Sequence, residues 1–207
     1  MSDKNKDIKN RILLSALENV PFDGWRWPVI EQAAQDEGFD ASMALAVFPD
    51  EMEDVLLHFS RWADEQMLEK LNEGDFSGAR VRDKIEQAVI ARLEELEPFK
   101  DSVQKAAAYW IGPLKSIQAG KSIWKTADII WIWAGDTSDD YNRYTKRALL
   151  SGVISTTMLR WLNDSEDGFA KTKGFLNRRI NNVLTVGQKT GKIISTISKI
   201  MPQKQNS

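Results

Sequence analysis

Along almost the whole chain the apolar positions recur every three or four residues, and strand-like alternation is nearly absent, so the sequence predicts helices in succession. Ile8, Ile12, Ala16, Leu17 and Val20 mark a first helix, ended by Pro21 and the turn Phe22-Asp23-Gly24. A second runs from Pro28 to Glu37 and stops at Gly38; Asp40 caps a third over 41–48; Asp50 opens a longer one to about residue 72. Beyond the breaker run 73–78, helices are expected over about 79–96 and 98–111. Gly112-Pro113 and Gly120 then interrupt the pattern, and helices follow over about 121–134, 139–163, 169–187 and 188–201. The expectation is an all-α chain of nine to ten helices. Its divisions are an N-terminal helical region 1–73, a helical pocket and dimerisation region 79–187, and an amphipathic tail 188–207.

Residues 8–60 resemble the outline of a TetR-type helix-turn-helix: a helix, a short helix ending at Gly38, then a second short helix. Charge changes that picture. Between Trp27 and Ser60 there are eight acids and no Lys or Arg, and the would-be recognition helix reads Ala-Ser-Met-Ala-Leu-Ala-Val-Phe. Phosphates would be repelled, and nothing on that helix reaches base edges. A degenerate helix-turn-helix that packs on the core and binds no nucleic acid is expected; a ligand-responsive TetR-type regulator is the alternative.

The most apolar helix, 121–134, carries Trp124, Ala127, Ile130, Trp131 and Ala134 on one side and Ile129, Ile132 and Trp133 on much of the other. It is buried centrally or lines an apolar cavity. Gly135 stops it, and Asp136, Thr137 or Ser138 caps the next helix, with Thr137 and Asp140 spaced as a capping box. On that next helix Ala148, Gly152 and Thr156 fall four apart, as do Ser151 and Ser155, which permits close approach of a helix or a flat apolar ligand. Tight helix packing, within the domain or across a dimer axis, is the common outcome of such spacing; if a lipid-lined cavity forms instead, its candidates are Trp124, Ile130, Trp131, Ala148, Gly152 and Ser155. Asn142, Arg143, Tyr144, Lys146 and Arg147, crowded into the first turns, cannot all be buried cheaply and predict a surface patch.

Composition excludes several chemistries. The chain has no cysteine and a single histidine, His58, so disulfides, thiol catalysis and a histidine-rich metal bundle are out. Asp54 and His58, four apart, could be half of a metal site, or His58 could simply be exposed or hydrogen-bonded. The acidic run Glu94, Glu95 and Glu97 reads as a solvated helix face. No phosphate loop, nucleophile elbow or serine triad is present, so no catalytic residue, cofactor or metal is expected. The N-terminus lacks the marks of a signal or transit peptide, and the expected location is cytoplasmic. From Gly168 onward there are eight basic residues and no acid. Within that stretch Ile193, Ile194, Ile197 and Ile200 lie on one face of the last predicted helix, and Lys192 and Lys199 lie on the other. That is the pattern of a helix lying on an anionic membrane surface, or of one docked on the protein itself.

Residues 124–153, WKTADIIWIWAGDTSDDYNRYTKRALLSGV, with ILLSALENVPFDGW at 12–25 and FLNRRINNV at 175–183, resemble the ubiquinone (coenzyme Q) biosynthesis accessory family, lipid-binding proteins of TetR-like fold. The resemblance implies a homodimer without catalysis of its own, with an apolar pocket for an isoprenoid lipid or quinone intermediate. It further implies presentation of that intermediate to the demethoxyubiquinone hydroxylase through a surface patch. On this chain the patch maps to Asp140, Asn142, Arg143, Tyr144 and Arg147, with Arg143 standing where the family motif has tryptophan. It also implies a bacterial protein peripheral to the inner membrane, with the tail at Lys192, Ile193, Ile194, Ile197, Lys199 and Ile200 as membrane contact.

Overall fold

The computed structural model describes residues 3–139 and 141–182. All regular structure among them is helical: α1 (Asp3–Asp23), α2 (Trp27–Asp36), α3 (Ser42–Val47), α4 (Glu51–Asn72), α5 (Val81–Leu96), α6 (Lys100–Tyr109), α7 (Pro113–Trp133), α8 (Tyr141–Leu162) and α9 over 170–182. Short 3-10 turns at Glu97–Phe99 and Asp167–Phe169 join α5 to α6 and α8 to α9. The predicted tail helix lies outside the described residues.

Local chemistry accounts for most boundaries. Pro21 sits inside the last turn of α1, which runs on to Asp23; Gly24, at φ 75°, ends it by donating its N–H to the Val20 carbonyl at 2.9 Å. Gly38 plays the same part after α2, at φ 79°. Asp40 accepts the Ser42 N–H at 2.8 Å, as a residue opening α3 should. The largest departure from expectation is α7. It starts at Pro113 and passes through Gly120 without a break. A mid-helix glycine costs only about 1 kcal/mol, and packing against α4, α5 and α8 outweighs it.

One core joins the N-terminal helices to the rest. Ile12, Leu13 and Ala16 of α1, Val55, Phe59, Ala63 and Met67 of α4, Ala88 and Leu93 of α5, Ala127 and Ile130 of α7, and Trp161 of α8 all belong to it. Helix α4 is its axis, packed by α1, α5 and α7. Trp25 ties the first turn to α6, its indole N–H donating to the Ser102 carbonyl at 2.9 Å. His58 is buried rather than exposed, its Nε2 2.9 Å from the Asn10 side-chain oxygen. Burial first, then the charges of Arg61, Lys9 and Lys6, push its pKa down to about 3, so it is a neutral core residue. Asp54 accepts the Asp50 N–H at the start of its own helix, and among the described residues no cluster of acids and histidine could hold a metal.

Candidate functional site: an apolar cavity and a polar helix start

An apolar cavity of about 120 Å³ lies between α4, α5, α6, α7 and α8. Leu56, Phe59 and Ser60 come from α4, Arg92 and Leu96 from α5, Val103, Ala106 and Ala107 from α6, with Trp110 just beyond it. Ala119, Ser122, Ile123 and Thr126 come from α7, and Ile154 and Met158 from α8. Ala106, Ala107 and Ala119 all line the space, and their small side chains leave it unfilled. A dry cavity of roughly 150 Å³ admits one benzene. The space here suits a ring or one or two isoprene units, with any longer chain continuing outward.

One wall of the cavity is polar and internally paired. Arg92 donates through Nε to Asp64 at 2.7 Å and through Nη2 to the Ser60 hydroxyl at 3.1 Å; Thr126 donates to both Asp64 oxygens at 3.0 Å; Ser122 donates to Ser60 at 2.9 Å. Burial pushes the Asp64 carboxyl up, and the Arg92 guanidinium and the Thr126 hydroxyl oppose it. The sequence reading missed this pair. A readable signal exists: Asp64 falls on the stripe with Ser60 and Met67, and Arg92 on the stripe with Ala88, Val89 and Leu96. One acid and one base thus stand on otherwise apolar faces.

The six residues predicted to line a lipid pocket do not line this cavity. Ile130 and Trp131 are packed into the core, and the Trp131 indole donates to the Lys146 carbonyl at 3.1 Å. Trp124 lies against Tyr144 with ring centroids 6.4 Å apart, Ala148 and Gly152 are exposed, and the half-buried Ser155 donates to the Ser151 carbonyl. On α7 the cavity is lined by Ala119, Ser122, Ile123 and Thr126, on either side of Gly120 and ahead of the tryptophan-rich run 129–133, whose Ile130 and Trp131 are taken up by the core.

The junction after α7 does more than stop and cap. Gly135, at φ 94°, donates to the Ile132 carbonyl and Asp136 to the Trp131 carbonyl, closing the helix. The Asp136 carboxylate then meets α8: it accepts from Lys146 at 2.6 Å, from Ser138 Oγ at 2.7 Å and from Arg147 Nη1 at 3.0 Å. Arg147 Nε also donates to Asp128 of α7. Burial alone would raise the Asp136 carboxyl, but the hydrogen bonds from Lys146, Ser138 and Arg147 hold it at about 2.

This corrects the predicted patch at one position. Arg147 is 2% exposed and is a structural counter-ion, not a surface group. Asn142, Arg143 and Tyr144 are exposed, Tyr144 to 62%, and Arg143 reaches Asp128 at 3.5 Å. Asp140, the capping box it would form, and Lys192, Ile193, Ile194, Ile197, Lys199 and Ile200 lie outside the described residues. The acidic run on α5 is engaged, with Glu94 and Glu95 paired to Lys70 at 3.0 and 3.1 Å, and Glu97 accepting the Trp161 indole N–H. Among the described residues no helix is long and apolar enough to cross a membrane.

Against known proteins, residues 117–187 match the COQ9 family. Over 201 residues, 94% of the chain, the sequence is 30% identical to "Ubiquinone biosynthesis protein COQ9, mitochondrial" of Rattus norvegicus and covers 64% of that protein. It is 31% identical to the protein of the same name in Xenopus tropicalis and 29% identical to that in Homo sapiens, covering 63% of each. The chain therefore spans a little under two thirds of the length of these relatives. Among solved structures it is similar to the TetR transcriptional regulator from Nitrosomonas europaea, with a TM-score of 0.70 over 86% of this chain and 98% of that one. At 15% identity that likeness is one of fold: an all-α, TetR-like chain.

Proposed function

We propose that the chain is a member of the COQ9 family, whose model its residues 117–187 match, and that it serves ubiquinone biosynthesis as a noncatalytic accessory. In this reading it binds an isoprenoid quinone intermediate at a membrane surface and presents it to the demethoxyubiquinone hydroxylase. The observation that carries it is the cavity between α4 and α8, apolar over most of its lining and of a size for a ring or a short stretch of prenyl chain. Arg92 on its wall is already neutralised by its ion pair with the buried Asp64, which favours an uncharged ligand over an acid.

Partner contact is assigned to the exposed start of α8, Asn142, Arg143 and Tyr144. Tyr144 is a natural anchor, aromatic and exposed beside Trp124. The stripe of Ala148, Gly152 and Thr156 further along α8 is exposed and is where a second copy would pack in a homodimer.

The test is quinone content in cells that lack the protein and are supplied with wild type or Tyr144→Ala. Wild type should restore the quinone. Tyr144→Ala should restore it poorly and capture less hydroxylase, while losing less than about 1 kcal/mol of stability, since an exposed aromatic pair contributes little. Quinone content indifferent to the wild-type protein would refute the reading. Full restoration by Tyr144→Ala would remove Tyr144 from the partner surface.

A further inference from the structure

The cavity wall continues to the outside at one corner of the fold. Trp110, at the end of α6, lines the cavity; the next residue, Ile111, is 80% exposed, as is Leu114, and Ile117 in the second turn of α7 is 55% exposed. Three large aliphatics in seven residues point outward from a corner that is firmly built. Gly112 makes the turn at φ 128°, a backbone that side chains disfavour, and Pro113 starts α7. The Ser116 N–H closes on the Gly112 carbonyl at 2.9 Å and its hydroxyl on the Pro113 carbonyl at 3.0 Å. The Lys115 ammonium sits 3.7 Å over the Tyr109 ring, which packs edge-on to Trp110 at 5.2 Å.

Charge supplies the second observation. From Ser102 to Ala127 the chain carries Lys105, Lys115, Lys121 and Lys125 and no acid, and all four are exposed. Lys121 and Lys125 follow Ile117 by four and eight residues and so share its face of α7. Burial, and then the charges of Glu53 and Glu51, push the Tyr109 phenol up, which places those acids near Tyr109 on α4. The basic side of the corner is therefore the α7 side.

We propose that the α6–α7 corner, with Ile111, Leu114 and Ile117 inserted and the lysines of α7 at the headgroups, is a docking surface for an anionic lipid bilayer. Aliphatics beside lysines, with Tyr and Trp at the base, match a membrane interface. A second copy meeting this face about a two-fold axis would set the same lysines against each other. Docking in this way holds the cavity mouth at the bilayer, so an apolar ligand would enter without crossing water. That last step rests on the lipid-carrier reading; the docking itself does not.

The test is flotation of the full chain with vesicles of phosphatidylcholine alone or with about 30% phosphatidylglycerol. The protein should float with the anionic vesicles, and the triple variant Ile111→Ser, Leu114→Ser, Ile117→Ser should lose roughly tenfold in bound fraction. Its thermal midpoint, its mass in solution and the lipid it takes up from detergent should match wild type. Undiminished flotation of the variant would overturn the proposal. So would a lowered midpoint, which would mean that the corner is covered by the protein's own chain, or a smaller mass, which would mean that a second copy covers it. A wild-type protein that floats with the anionic vesicles but takes up no lipid would instead count against the carrier reading alone.

Discussion

Arg92→Met is expected to lower the thermal midpoint by roughly 10 °C. The pair it breaks is buried, with side chains 6% and 4% exposed, and removing one member leaves the buried Asp64 carboxylate with only the Thr126 hydroxyl as partner. Breaking such a pair costs about 3–5 kcal/mol, and in a domain of this size each kcal/mol moves the midpoint by about 2–4 °C. Replacing both members by apolar residues, Arg92→Met with Asp64→Leu, should recover most of the loss, because the desolvation of two charges disappears with them. Asp64 also sets the pH dependence. Its folded-state pKa lies above the unfolded value, so protonation favours the folded form, and without Arg92 to oppose burial the carboxyl moves further up. The deficit of Arg92→Met should therefore narrow as pH falls from neutrality toward the ordinary carboxylate range. Thermal unfolding across that range checks both statements. A single variant within a couple of degrees of wild type would mean that the pair contributes nothing.

Arg147→Ala should lose about 3 kcal/mol, near the lower end for a buried pair because Lys146 still holds Asp136. That corresponds to a fall of roughly 6–12 °C, against almost none for Tyr144→Ala one turn away. The contrast separates a structural counter-ion from a surface anchor in the same short segment. Asp136, held at about 2 when folded, contributes stability that is present above the unfolded carboxylate value and is lost as pH falls through about 4 to 2. After discounting for partial solvent screening the contribution is on the order of 1–2 kcal/mol. Arg147→Ala should flatten this acid limb, since Asp136 then titrates closer to its ordinary value. An acid limb as steep as in wild type would place the cause elsewhere.

The helices were legible because their punctuation is chemical. Gly38 and Gly135 adopt left-handed backbone where the periodicity ends, and Asp40 accepts the N–H that opens α3. Gly120 misled because the cost of a glycine is small beside the packing of a helix that spans α4, α5 and α8. The cavity lies apart from the tryptophan-rich run for a different reason: it is lined by Ala106, Ala107 and Ala119, where side chains are small. Small residues signal close packing and empty space alike, and sequence spacing does not tell them apart. Arg147 was misplaced for a similar reason. Five polar residues together do imply exposure for some, but not for the one whose position in the helix faces Asp128 and Asp136 across the junction.

On the proposed function, the cavity between α4 and α8 should hold a prenylated, uncharged lipid. Extraction and mass spectrometry of the lipid that accompanies the purified full chain tests it most directly, with Ala119→Trp as the comparison. That substitution fills the cavity from a half-buried position on its wall. Wild type should carry, or take up on incubation, a prenyl lipid, either a quinone or its precursor, and Ala119→Trp should carry several-fold less while staying folded. A wild-type protein that neither carries nor takes up such a lipid, or an Ala119→Trp variant that binds it equally well, would contradict the account.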